Sequence, residues 1–192
     1  MAAYSPLIRR LMISSLTVVI SRALISPLLT LFLSNKLGLN PQDVGLLLGI
    51  AVFSATLLSL YGGYIIDRLD KRQLLILTML SSGIGLILLT FAQNLYWVTL
   101  VLIISETASA LFLICSKAIL SENLPVGQRV KAFSLNYTLT NIGYAVGPMI
   151  GVVIAGVQPS APFIVAGAIA IGSIFLLLGA TRDASPITSG SA

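Results

Sequence analysis

Arg22 and Glu106 are the residues of this chain whose type and placement promise chemistry. Each stands near the middle of a long apolar run, and Glu106 is the only acidic residue inside any such run. A guanidinium at the centre of a membrane helix costs about 2.5–3.5 kcal/mol on insertion scales, so it must face a cavity or an opposite charge. A carboxylate at that depth either keeps its proton or has a cation beside it. Arg22 is the one candidate at matching depth. Paired, the two form an ion pair that a proton or a charged substrate can open, the physical requirement for a proton-coupled switch. The plain alternatives are a static bridge between helices, or a Glu106 held neutral by hydrogen bonds.

Other polar residues fall on helical stripes. Ser15, Arg22, Ser26 and Thr30 follow one another at spacings of seven, four and four, one face of a helix, and Pro27 frees a backbone carbonyl beside it. Tyr137, Asn141 and Tyr144 stand at i, i+4, i+7 and make a polar-aromatic stripe suited to lining a pathway. Gly143, Gly147 and Gly151 make a second stripe on roughly the opposite side, with Pro148 among them. Small residues four apart let helix backbones approach closely. One face of this segment is therefore expected to pack or slide, and the other to line something. Lys117 reads as a side chain that snorkels toward the nearer membrane surface.

The stretch GGYIIDRLDKRQ concentrates Asp67, Arg68, Asp70, Lys71 and Arg72 between two apolar runs, in a chain that is only 9% charged. Arg68, Lys71 and Arg72 suit a short cytoplasmic turn. Asp67 needs a further explanation, because it ends a helix where the macrodipole disfavours an anion. A nearby cation or the N-terminus of another helix must offset it.

These residues are positioned by a membrane bundle. The chain has 192 residues, 57% of them hydrophobic, with mean hydropathy +1.02. A soluble domain of that size has too little core to hide so much apolar surface. Six contiguous runs are long enough to cross a bilayer as helices, at 11–33, 44–66, 74–92, 97–120, 133–157 and 161–180. Their continuity argues against the alternating ten-residue segments of a membrane β-barrel. The first run is too long for a cleavable signal, and Arg22 interrupts it. If the six runs alternate in direction, all Lys and Arg except Lys36 and Arg22 fall on one side, which places both termini in the cytoplasm. Residues 1–182 form the bundle and the polar segment 183–192 a disordered tail; 121–131 is the longest internal loop. Histidine is absent, Cys115 stands alone as a small apolar filler, and no nucleophile–base pair appears. No enzyme, metal or cofactor is expected.

The segment from Gly63 through Asp67, Arg68, Lys71 and Arg72 resembles the signature between helices two and three of the major facilitator superfamily, with Asp70 where that signature usually has glycine. The spacing Gly143-x3-Gly147-Pro148-x2-Gly151 is similar to the fifth-helix signature of its proton-coupled antiporters, with Val152 in place of a frequent second glycine. The stretch from Pro125 through Arg129 to Phe133 resembles the family's connection between helices four and five, and the wording FSLNYTLTNIGYAVGP is most like bacterial drug, sugar and amino-acid exporters. The resemblance implies the N-terminal six-helix half of a twelve-helix fold, itself two inverted three-helix repeats. It also implies a multi-pass protein of the cell (inner) membrane that moves small molecules outward against protons by alternating access. On that reading Arg22, Glu106, Tyr137, Asn141 and Tyr144 line the substrate and proton pathway. Gly63, Asp67, Arg68, Lys71 and Arg72 form the cytoplasmic gating loop. Gly143, Gly147, Pro148 and Gly151 form the hinge face. The expected partners are lipid, protons, a small-molecule substrate and a second six-helix half, which Asp67 would meet as half of a latch; nucleic acid is not one. The alternative is a truncated or partner-binding membrane module without transport of its own.

Overall fold

The polar residues between the apolar runs fix where the helices begin. In a computed structural model, which describes residues 4–91 and 93–182, α1 (Pro6–Leu37) starts with Pro6, and the Ser5 hydroxyl accepts from the Ile8 amide. Asn40 starts α2 (Pro41–Ser59), its Oδ1 accepting from the Asp43 amide at 2.8 Å. After α3 (Gly62–Arg68), Asp70 caps α4 (Lys71–Leu88) through the Gln73 amide at 2.8 Å. A 3-10 turn at Leu89–Phe91 leads to Asn94, which caps α5 (Leu95–Glu122) through the Trp97 amide at 2.9 Å. Then come α6 (Val126–Ala155) and α7 (Ala161–Arg182). Each cap satisfies an amide that the first helical turn leaves without a partner. Six of these helices, all but α3, are long and apolar enough to cross a membrane.

Two sequence expectations change. The run 44–66 is two helices, because the amides of Leu60 and Tyr61 turn back to Leu57 and Leu58 in a tighter 3-10 pattern. The break lies where Gly62 packs on α5: a Cβ there would sit 2.9 Å from Leu111 Cδ2 and 3.2 Å from Ile114 Cδ1. The loop expected at 121–131 is mostly helical. α5 continues to Glu122, and α6 starts directly after Pro125, whose carbonyl accepts from the Gln128 amide. The expected tail at 183–192 lies outside the described residues.

Helix packing follows a simple exchange rule. α1 packs broadly on α6 and α7, α5 packs broadly on α2 and α4, and α4 packs on α7. Exchanging the first three spans with the last three in order leaves this set unchanged, as two inverted three-helix repeats would. The contact that maps onto itself, α4 on α7, brings two glycines together. A Cβ on Gly83 would lie 2.8 Å from the Gly167 carbonyl, and one on Gly167 would lie 2.6 Å from the Gly83 carbonyl.

The polar pattern is inverted relative to a soluble bundle. Leu46, Phe53, Leu60, Val153 and Phe175 face outward, while Ser14, Ser15, Ser21, Ser82, Ser105, Ser109, Ser116 and Ser173 are buried. With hydrocarbon outside, burying leucine gains nothing, and association rests on close packing and short hydroxyl contacts. Ser21 Oγ donates to the Ala166 carbonyl at 2.7 Å, and Ser15 and Ser116 share a hydrogen bond of 3.0 Å. On α6, Gly143, Gly147 and Gly151 are buried against α1, and at Gly151 a Cβ would sit 1.9 Å from the Leu24 carbonyl oxygen. Gly151→Ala is therefore expected to destabilise the bundle by about 1–3 kcal/mol, the usual cost of overpacking. Gly172→Ala, with open space around it, should leave the thermal unfolding midpoint in detergent unchanged or raised.

Candidate functional site

α1 and α5 pack less closely on each other than α1 does on α6 and α7 or α5 does on α2 and α4, and long side chains span the gap between them. Arg22 Nη2 donates to both oxygens of Glu106, at 2.6 and 2.5 Å. One nitrogen thus serves the whole carboxylate, which leaves Nη1 to donate to Ser109 Oγ at 2.6 Å. The Ser109 hydroxyl proton goes to the Ser105 carbonyl one turn earlier, at 2.8 Å. In the 3.0 Å contact between Ser82 and Ser109, the proton therefore comes from Ser82. Ser109 accepts twice, from Arg22 and from Ser82, and ties α1, α4 and α5 together. The side chains of Arg22 and Glu106 are 27% and 24% exposed, so the pair is only partly enclosed by these six helices. Charge-assisted bonds of this length are the strong class of hydrogen bond.

The stripes on α6 divide as their spacing suggests, with one exception. Tyr137 and Tyr144 line an open cleft of 430 Å³ between α1, α5 and α6. Asn141 does not line it; the amide is exposed and donates to the Tyr137 carbonyl of its own helix at 2.8 Å. Asn136 and Thr140 take its place in the wall. The cause is the 3.6-residue period: from Tyr137 the cleft face drifts to the row 133, 136, 137, 140, 144, and position 141 rotates out of it. Lys117 on α5 also lines the cleft, where the sequence alone pointed to a snorkelling residue. Of the stripe on α1, Ser15 and Arg22 reach α5, whereas Ser26 is exposed. Pro148 lies within α6, which continues as helix to Ala155.

In the charged connection the close packing belongs to Gly62; around Gly63 there is open space. Asp70 acts as the cap of α4, which explains an aspartate at that position. Lys71 Nζ pairs with Glu122 at the end of α5 at 2.6 Å, and the Arg68 guanidinium lies 4.5 Å from the Tyr64 ring centre. Asp67 and Arg72 are exposed, and their charged ends meet no hydrogen-bond or ion-pair partner among the described residues. Ser82, Ser109, Asn136 and Thr140 were missed by sequence reasoning. A signal was present for the serines, since Ser105, Ser109 and Ser116 recur at spacings of four and seven. Among the described residues no three His, Cys, Asp or Glu side chains lie together as a metal site.

Comparison with known proteins places the fold. The chain is 32% identical over 168 residues to the MFS-type transporter YdeE of Escherichia coli (strain K12), covering 88% of this chain and 42% of the relative. It is 28% identical over 139 residues to the MFS-type transporter YqjV of Bacillus subtilis (strain 168), covering 72% and 34%. It is 25% identical over 166 residues to the quinolone resistance protein NorA of Staphylococcus aureus, covering 86% and 42%. The crystal structure of the POT family transporter PepTSo superposes on 98% of this chain and 40% of that one, with a TM-score of 0.77 at 16% identity, a likeness of fold. The chain thus spans about two-fifths of the length of YdeE and NorA. Residues 11–191 match the sequence model of the Major Facilitator Superfamily, and with six apolar helices arranged as that fold requires, the chain belongs to this superfamily of membrane transporters.

Proposed function

We propose that this chain takes part in proton-coupled efflux of small molecules by alternating access, working with a second six-helix unit. The observation that carries this reading is the Arg22–Glu106–Ser109 cluster. It is a partly exposed ion pair at mid-depth, and it joins helices from the two three-helix repeats. Protonation of Glu106 removes the negative charge that holds Arg22 Nη2. Ser109 still holds Nη1, so the guanidinium stays on α5 while the carboxyl is released. A switch needs such a two-state element, biased by one bound proton. Tyr137 and Tyr144 contribute walls of the substrate path. The glycine face at Gly143, Gly147 and Gly151 gives α6 a smooth contact along which α1 can move. The name of the relative from Staphylococcus aureus, a quinolone resistance protein, fits outward removal of small molecules.

The second unit is supported by the share of YdeE and NorA that this chain covers, about 42% of each. The distribution of Lys and Arg supports cytoplasmic termini in a cell membrane, with the Asp67 connection on the same side. There the unpaired Asp67 waits for a cation or a helix N-terminus contributed by the second unit, as a latch on the closed state. This role fits an anion at a helix C-terminus that makes no hydrogen bond or ion pair among the described residues, the nearby Lys71 being paired with Glu122.

Two measurements test the reading. In vesicles carrying the protein with its second unit, Glu106→Gln is expected to reduce proton-gradient-driven efflux at least tenfold, with helicity and thermal midpoint near wild type. Wild-type, gradient-dependent efflux in that variant would remove Glu106 from the coupling. Asp67→Asn is expected to slow transport about tenfold while substrate affinity stays within twofold; an unchanged rate would rule out the latch.

A further inference from the structure

We infer that the cleft between α1, α5 and α6 selects substrates that carry an anionic group on an aromatic or apolar body, with Lys117 as the residue that reads the charge. α5 carries two acids, Glu106 and Glu122, and one cation, Lys117. Glu106 is taken by Arg22 and Glu122 by Lys71. Lys117 is left in the cleft wall with no ion-pair or hydrogen-bond partner among the described residues, and no carboxylate lines the cleft. Lys117 is exposed on this concave wall, and an ammonium there with no counter-charge raises the local concentration of anions and disfavours cations.

The rest of the wall supplies the complementary surface. Val19 and Phe133 give apolar area, and Tyr137 and Tyr144 give ring faces whose hydroxyls make no hydrogen bond among the described residues. Asn136 is 9% exposed, and its Oδ1 is buried without a hydrogen-bond partner. Buried amides normally have their partners, so an unmet one in a cleft wall marks a place where a ligand's polar group is received. The volume, 430 Å³, lies within the range of small-molecule sites. A few converging polar groups on a mainly apolar wall is the composition of such sites. The inference rests on the transport reading only in taking this cleft to open on the substrate path.

The test is equilibrium binding to the full chain in neutral detergent, with three probes of one shape: 2-naphthoate, 2-naphthylmethanol and 2-naphthylmethylammonium. Naphthoate is expected to bind at least tenfold more tightly than the ammonium. Lys117→Met should weaken naphthoate about tenfold and leave the alcohol within twofold, and Lys117→Arg should keep the preference. Tyr137→Ala should weaken all three probes together. No binding of any probe, equal binding of anion and cation, or an anion preference that survives Lys117→Met would each overturn the inference. Because the assay contains no proton gradient, a failed coupling role for Glu106 leaves it untouched. Lost charge selectivity alongside an inactive Glu106→Gln variant would refute only the anion inference.

Discussion

A guanidinium and a carboxylate that sit at mid-depth in hydrocarbon must find each other, and the bundle is arranged so that they do. α1 and α5 are the first helix of each repeat, and each spends its broad apolar faces on other neighbours. What remains between them is polar: Ser15 on Ser116, and Arg22 on Glu106 and Ser109. This seam differs in kind from the glycine contacts elsewhere. Close backbone packing between α6 and α1 leaves no room for a larger residue, since the Leu24 carbonyl lies where a Gly151 side chain would be. The contact between α1 and α5 is made instead by long, partly exposed side chains. The close backbone contacts and the long side-chain contacts are therefore made by different residues on the same helix, α1.

The partial exposure of the pair also decides how its energy behaves. A fully buried pair pays a desolvation cost that can cancel its attraction, and it answers slowly to solvent. A pair that is about one-quarter exposed is only partly enclosed by these six helices. Ser109 adds a hold on Arg22 that does not depend on the charge of Glu106.

Much of this was legible in the residues because lipid imposes strong rules on sequence. Apolar runs long enough to span, the side on which Lys and Arg gather, and the rarity of charge within the runs pointed to a six-helix bundle, and the match of Arg22 to Glu106 in depth named the pair. The glycine spacing on α6 announced a packing face. What stayed hidden depended on rotation and on partners. A stripe counted in whole turns included Asn141, but the slow drift of the 3.6-residue period puts Asn136 and Thr140 in the cleft wall instead. The break at Leu60 and Tyr61 is invisible in hydropathy, because those residues are as apolar as their neighbours. The buried serines were unreadable one at a time, since serine is at home on either side of a membrane helix.

The exchange rule also has a consequence for the order in which the protein is made. The broad contacts of α1 are with α6 and α7, and those of α2 are with α5. The first repeat therefore enters the bilayer before its main partners exist. Arg22 precedes Glu106 by 84 residues, an interval on the order of ten seconds at about 5–20 residues per second. Throughout it the guanidinium must be borne by the hydropathy of α1, by the insertion machinery or by the membrane surface, at a cost of about 2.5–3.5 kcal/mol if it is inserted alone. Synthesis of the fourth span is then more than one further helix: it delivers the counter-ion that allows the first to settle.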